Sequence, residues 1–360
     1  MPPLSTSEAT SLKDVNHLLK APSPKSKAFT ATVGKSLEGL QRFYAIMTAW
    51  ESGILDYTVT PRSYQEIAQQ FGYHEIMTKM FCEALVGIGL LEKEEDNYLN
   101  SSLTSAYLTR SSRCCMLNTL TDMQANAQRW SQLATLLKNG PIDKQKKNAF
   151  SDGRILRIAE ISEACSVSNV TNIVRKTIDV NRWRRLVDVG GGHGLYSIAF
   201  AALNPNLEAY VFDQPNVTPI TQQYIDAYGA KRVHVISGDY NVDSIGQGYD
   251  AIFSSFNATS SDPKFIPQLV AALNPNGDLM LRRHKDNRPE DSLQTLDWNL
   301  VHYKGAKIGR KPHSSDSMAR RNDYITHLKT AGLTIIDCKP VDLMSEIIFA
   351  HKPSINRGNT

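Results

Sequence analysis

Residues 186–194 read Leu-Val-Asp-Val-Gly-Gly-Gly-His-Gly, and no other stretch limits the possible folds as much. A short apolar run carries Asp188. Gly190, Gly192 and Gly194 then fall at alternate positions, and residues 195–203 are small and apolar at helical spacing. These residues specify a strand, a tight turn and a helix. Glycines in such a turn let a ligand lie against bare backbone, beside the positive end of the helix. The spacing is not the G-x-G-x-x-G of a dinucleotide site, because Leu195 stands where the last glycine would fall.

The segments around this unit extend the pattern. Strands are expected at 186–189, 208–212, 233–236, 249–254 and 278–282, with helices near 196–203, 217–228 and 263–273 between them. Two apolar runs, 333–338 and 346–350, close the series. The turn through Pro340 that joins them is too short for a parallel crossover, so they should pair antiparallel. The fold class that follows is α/β, a mostly parallel, doubly wound sheet with a terminal antiparallel hairpin.

The amino-terminal part reads differently. Residues 1–25, rich in Ser, Pro and Lys, form an expected flexible arm with one short helix at 15–19. Helical spacing over 36–52, a helix at 64–72 stopping at glycine, a second at 77–87 and a hairpin over 92–100 make a winged-helix pattern. A further helix covers 117–137, ended by Asn139-Gly-Pro141, and 143–147 reads as a solvated loop. The expected division is an arm (1–25), a winged-helix-like domain (26–110), a helical linker region (111–180) and the sheet domain (181–354).

Composition bounds the function classes. A chain of 360 residues exceeds one typical domain, and 41% apolar with 21% charged residues is ordinary for a protein with a real core. A net charge of +4 gives no bulk argument for nucleic-acid or membrane binding. Five scattered cysteines without C-x-x-C spacing fit a reduced compartment better than a disulfide framework or zinc site. No apolar run approaches the roughly 18 residues of a membrane span, and the polar amino terminus is no signal peptide. The histidines are dispersed and no H-x-x-x-H occurs, so no metal is expected. The expectation is a cytoplasmic protein.

Three acids fall at expected strand ends: Asp188 before the glycine turn, Asp213 after the second strand and Asp239 after the third. The first can hold loop amides or the amino-acid part of a ligand. An acid at the second position accepts two hydrogen bonds from a ribose diol, and one at the third can accept from an adenine amino group. Each alone is as easily a turn or capping acid. Three at successive strand ends, beside a glycine loop, point to a nucleoside.

Asp-x-Gly-x-Gly-x-Gly resembles the nucleoside-binding loop of S-adenosylmethionine (SAM)-dependent methyltransferases. From about residue 36 to 351 the chain resembles the caffeate-type and bacterial small-molecule O-methyltransferase family. The matching pieces are Glu66-Ile-Ala, Gly89-Leu-Leu, Trp130, Gly140-Pro141, the glycine stretch, Val211-Phe-Asp-Gln-Pro215, Gly238-Asp-Tyr240 and Leu273-Asn-Pro-Asn-Gly277. The resemblance implies a Rossmann-like class I methyltransferase domain behind a winged-helix dimerisation domain. It also implies a homodimer, a small-molecule substrate, and neither nucleic acid nor membrane as partner. SAM is the implied cofactor, held by Asp188, Gly190, Gly191, Gly192, Gly194, Asp213, Gln214, Gly238, Asp239 and Tyr240, with Ser254, Ser255 and Phe256 beside the methyl group.

The chain departs from that family in one segment. The strand at 250–253 should lead to a histidine that takes the acceptor's proton, and counting to the helix start at Asp262-Pro263 puts Thr259 there. A neutral hydroxyl is no general base, a role that typically contributes 10²–10⁴-fold. His284, in Arg282-Arg-His-Lys285, is the first catalytic candidate in its stead, with Thr259 itself the second. Cations concentrated between Arg282 and Arg321 favour an anionic acceptor, with Arg283, Asn257 and Trp298 as candidate acceptor contacts and Trp298 and Tyr303 at helical spacing. Two alternatives stay open: a SAM-binding enzyme of this fold without methyl transfer (pericyclase-, decarboxylase- or hydroxylase-like), and a winged-helix DNA-binding regulator.

Overall fold

The computed structural model describes residues 26–144, 152–286, 292–303 and 318–354. Two compact units divide the chain between Arg113 and Cys114. Against the expected boundaries after 110 and after 180, the described helices of 114–180 fold in one unit with the sheet. The arm at 1–25, with its short helix, lies outside the described residues.

The first unit opens with one helical rod: α1 (Ser26–Phe29), a π-helical turn (Thr30–Gly34) and α2 (Lys35–Ser52). Gly53, at φ 82°, ends the rod and turns the chain into α3 (Ile54–Tyr57). Met47, Trp50, Ile54 and Leu55 are buried, while Phe29, Val33, Leu37, Leu40 and Tyr44, three or four residues apart, stay between 48 and 67% exposed. β1 (Arg62–Ser63) leads into α4 (Tyr64–Phe71). A capping box starts that helix: the Glu66 amide donates to Ser63 Oγ at 3.2 Å, and the Ser63 amide donates to the Glu66 carboxylate at 2.7 Å. Then come α5 (Glu75–Gly87), the antiparallel hairpin β2 (Leu91–Glu94) and β3 (Asn97–Asn100), and α6 (Ser102–Tyr107). β1 adds to the hairpin as a third strand against β3.

The second unit begins with α7 (Leu117–Ser131) and α8 (Leu133–Asn139), two helices where one was expected, because Gln132 leaves the helical region. β4 (Ile142–Lys144) corrects the solvated loop expected there: its residues pair in parallel with β10 (Val301–Tyr303). Residues 145–147 lie outside the described ones. α9 (Asp152–Ile161) and α10 (Val167–Thr177) are one helical run interrupted by a π-helical turn at Ser162–Ser166.

The alternation then appears as expected: β5 (Arg185–Val189), α11 (Leu195–Leu203), β6 (Glu208–Asp213), α12 (Thr218–Ala227), β7 (Val233–Ser237), β8 (Tyr249–Ser255), α13 (Ile266–Ala272) and β9 (Leu273–His284). α14 (Ser292–Asn299) precedes β10, and α15 (Arg321–Thr330), β11 (Thr334–Pro340) and β12 (Ser345–His351) finish the unit. One sheet takes the order β11-β12-β9-β8-β5-β6-β7. β9, β8, β5, β6 and β7 run parallel, and β12 joins β9, and β11 joins β12, antiparallel. Both faces are covered, one by a core around Val174, Phe200, Phe253 and Phe349, the other by one around Ile252, Leu269, Tyr324 and Ile348. Strand order reverses at β5 and β8, so the crevice at their carboxyl ends is where a ligand binds in such a sheet.

Candidate active site

The glycine loop leaves β5 at that reversal. Gly190 and Gly192 take φ of 67° and 56°, values that strain any residue with a Cβ. A Cβ on Gly190 would lie 2.6 Å from Asn257 Nδ2, whereas one on Gly192 would meet nothing within 4 Å. The loop is therefore packed from below at Gly190 and open at Gly192. The Gly190 amide donates to Phe212 O at 2.7 Å, and the Gly192 amide donates to Asp213 Oδ2 at 2.8 Å.

Asp188 is wholly buried under this loop. Oδ2 accepts from Ser197 Oγ at 3.3 Å, and Oδ1 has no hydrogen-bond partner among the described residues. Burial pushes its pKa up to about 8. His193, also buried, accepts the Leu195 amide at Nδ1 (3.1 Å), so Nε2 carries the proton and faces Ser162 Oγ at 3.1 Å. Burial holds its pKa down to about 4, and the ring stays neutral. Its partner Ser162 sits on the π-helical turn. Such turns carry no apolar period, so this contact has no sequence signal.

Asp213 Oδ1 accepts the Gln214 amide at 2.7 Å, and each carboxylate oxygen keeps a lone pair for a further donor. Asp239 Oδ1 accepts from Asn241 N and Nδ2 at 2.9 and 2.7 Å, a turn-capping role. Beyond it opens a cleft of about 490 Å³, lined by Tyr240, Asp243, Lys264, Phe265 and Gln268 among others. Gly238 is buried, and a Cβ there would lie 2.7 Å from the Phe212 ring. Asp188, the loop glycines, Asp213, Gln214, Gly238, Asp239 and Tyr240 thus gather along the carboxyl ends of β5, β6 and β7.

On the other side of β5, Thr259 corrects an expectation. It is fully buried, and its hydroxyl donates to Asn257 Oδ1 at 2.6 Å and meets Ser254 Oγ at 2.7 Å. Tyr324 Oη donates to its carbonyl at 2.8 Å. Such a residue holds the loop and presents nothing to a substrate. Asn257 is tied in the same way, with Nδ2 donating to Val189 O at 2.6 Å, so it supports Gly190 and is spent as an acceptor contact. Ser254 belongs to this buried network, while Ser255 is half-buried at the strand end.

Phe256 takes φ 55° and is 43% exposed. Its ring stacks on His284 with centroids 4.4 Å apart, and the Arg282 guanidinium carbon lies 4.4 Å from the same centroid. The expected basic acceptor wall divides here. Arg282 and Arg283 are consecutive strand residues and so point to opposite faces of the sheet. Arg283, expected at the acceptor, donates instead to Asp286 Oδ1 (2.9 Å) and Ala319 O (2.8 Å) and lies 4.0 Å from Glu346, all on the far face. Arg321 pairs with Glu346 at 3.4 Å. Arg288, Lys304, Lys307, Arg310 and Lys311 lie outside the described residues.

Trp298 is 38% exposed on α14. Its neighbour Asp297 fixes that helix to α7, accepting from Trp130 Nε1 at 2.7 Å and Asn126 Nδ2 at 3.0 Å. Tyr303 lies in β10, so its helical spacing with Trp298 is not realised. Among the described residues no group of three or more His, Cys, Asp or Glu could hold a metal ion, and no helix is long and apolar enough to cross a membrane.

Residues 156–306 match an O-methyltransferase domain model. An uncharacterized protein of Methanocaldococcus jannaschii is 30% identical over 92% of this chain and 90% of its own length. The N,N-dimethyltransferase OxyT of Streptomyces rimosus is 23% identical over 86% of this chain and 92% of its own. The crystal structure of human N-acetylserotonin methyltransferase in complex with SAM superposes with a TM-score of 0.67 at 18% identity, covering 92% of this chain and all of that one. With the glycine loop, the acids at successive strand ends and these relatives, the chain belongs to the O-methyltransferase family of SAM-dependent enzymes.

Proposed function

We propose that the site at the carboxyl ends of β5 to β9 transfers a methyl group from SAM to a small acceptor, with the cofactor along β5, β6 and β7 and the acceptor toward β9. The observation that carries this reading is Asp188 Oδ1, a buried carboxylate oxygen without a partner among the described residues, beneath a glycine loop whose outer face is open at Gly192. A buried acid lacking a donor is costly, and an ammonium group relieves it. Asp213 suits a ribose diol, and Asp239, Tyr240 and the adjoining cleft suit the base. The residues present therefore fit the cofactor.

Bound SAM supplies a methyl group on a sulfonium centre. The chain's part is to hold the acceptor in line with that bond, exclude water and accept a proton, and alignment alone removes much of the barrier. Thr259 and Asn257 support the loop, and Phe256 offers an aromatic surface. His284, stacked on Phe256, is the residue we assign as proton acceptor. The exposed apolar stripe on α1 and α2 supports a homodimer formed through the amino-terminal unit. The α4–α5 pair with its three-stranded hairpin supports the winged-helix assignment of residues 26–110. α5 turns Ile76, Met77 and Met80 outward, each above 60% exposed. A helix that reads DNA needs cations there, which disfavours the regulator alternative.

The test is S-adenosylhomocysteine (SAH) formation from SAM with a panel of phenols, amines and thiols. His284→Ala should lower kcat by about 100-fold or more on the acceptor that reacts, with SAH affinity unchanged. SAH that binds, combined with SAM that never turns over on any acceptor, would refute methyl transfer.

A further inference from the structure

Arg282 is a buried cation that the reading above does not use. It is 4% exposed, on the sheet face that also carries Asp188 and Tyr196. Register places it opposite Ser255, one residue beyond the pairs that align Leu281 with Ser254 and Ser254 with Val189. It therefore shares a row with Gly190, on the crevice edge. Asp213 and Asp239 mark the cofactor's nucleoside end, one and two strands from β5 in one direction. Arg282 stands two strands away in the other, roughly 10 Å from the glycine loop at ordinary strand spacing.

Its contacts are too weak for a buried charge. Nη1 donates to Tyr196 Oη at 2.6 Å, a neutral phenol. Nη2 reaches Asp342 Oδ2 only at 3.3 Å and Ser345 Oγ at 3.4 Å, and Asp342 already accepts the Met344 and Ser345 amides and the Ser345 hydroxyl, each at 2.7 Å. Nε has no partner among the described residues. Arg283, one residue on, makes shorter bonds, to Asp286 and Ala319, although its own Nη1 also lacks a partner among the described residues. A guanidinium left short of acceptors at the crevice edge, its carbon 4.4 Å from the centroid of the Phe256 ring, is suited to a planar oxyanion.

We propose that Arg282, aimed by Tyr196 and Phe256, anchors a carboxylate or equivalent oxyanion on the acceptor and so makes the enzyme selective for small planar acids. The proposal rests on the methyltransferase reading. The guanidinium and the His284 ring both pack on Phe256, each 4.4 Å from its centroid, so the anchor and the proton acceptor border one aromatic side chain. In the reaction the acceptor's hydroxyl proton passes to His284 and its oxygen forms the new bond to the methyl carbon. The electron pair of the broken carbon–sulfur bond stays on sulfur. The carboxylate on Arg282 is unchanged.

The shared chemistry has a second source, the cofactor's own carboxylate, and the experiment separates the two. Calorimetry on the full chain uses SAH, 5′-methylthioadenosine (which lacks the carboxylate) and, with SAH saturating, 3,4-dihydroxybenzoate against its methyl ester. Wild type should prefer the acid by about tenfold or more. Arg282→Gln should abolish that preference and Arg282→Lys keep part of it, with SAH affinity within about threefold of wild type. A wild type indifferent to the acid, or a preference that survives Arg282→Gln, overturns the proposal. So does a loss of SAH affinity in Arg282→Gln with 5′-methylthioadenosine unaffected, which moves the guanidinium to the cofactor. If both Arg282 variants fail to melt cooperatively, Tyr196→Phe decides: a weakened preference supports the proposal and an unchanged one overturns it. Failure of wild type to bind SAH refutes the methyltransferase reading instead.

Discussion

Two alanines two residues apart should separate the packed side of the glycine loop from its ligand side. Gly190→Ala meets two costs. At φ 67° a Cβ costs roughly 1–2 kcal/mol. The new methyl would also lie 2.6 Å from Asn257 Nδ2, whose bond to Val189 O it must break or distort, at about another 1–2 kcal/mol. Gly192→Ala meets only the first, since nothing lies within 4 Å of the new carbon. A unit of this size loses about 2–4 °C in Tm per kcal/mol, so Gly190→Ala should melt several degrees below Gly192→Ala. Binding should follow a different pattern. On the proposed site the Gly192 methyl would project where the cofactor is to lie against the backbone, so SAH affinity should fall about tenfold or more in a protein that remains well folded. Differential scanning fluorimetry and calorimetric titration give both numbers. Gly192→Ala binding SAH as wild type does, or melting as low as Gly190→Ala, would refute this view of the loop.

Asp188 should make cofactor binding pH-dependent. With its pKa pushed up to about 8 in the free protein, the carboxyl is largely protonated at pH 7, and a bound ammonium requires it ionised. SAH binding should therefore release a proton at pH 7. Affinity should rise with pH up to about 8, by at most roughly tenfold per unit, and then level off. Titrations in buffers of different ionisation enthalpy measure the proton, and Asp188→Asn should abolish both the release and the pH slope. Separately, Leu37→Glu with Leu40→Glu on the exposed face of α2 should turn a dimer into a monomer in light scattering without loss of helicity. A monomeric wild type would remove the stripe's assigned purpose.

Much of the sheet was legible because its strands are buried apolar runs separated by helices of clear period, and Asp188, Asp213 and Asp239 fall at strand ends that such runs define. The loop's register was legible for a related reason: glycines where a Cβ would strike Asn257, Asp188 or Thr221 cannot be replaced cheaply. Other features depend on tertiary contacts. Thr259 sits in a segment without period, and only its bonds to Asn257 and Ser254 show that it is internal. The cations at 282 and 283 looked like one basic patch, although a strand's period of two was itself a signal that they part. Arg283 bonds on the far face, and Arg282 bonds Tyr196 on the face of Asp188. Ser162 and Tyr196 gave no signal, because a π-helical turn and an apolar-looking helix bring them to His193 and Arg282.

The most direct measurement is calorimetric titration of SAH into wild type and into Asp213→Ala, with a melting curve for each. One site per chain in wild type, and affinity at least about tenfold weaker in a folded Asp213→Ala, is the expected result, since two hydrogen bonds to a charged acceptor are lost. No binding to wild type, or equal affinity for both proteins, would contradict a SAM site at the carboxyl ends of β5, β6 and β7.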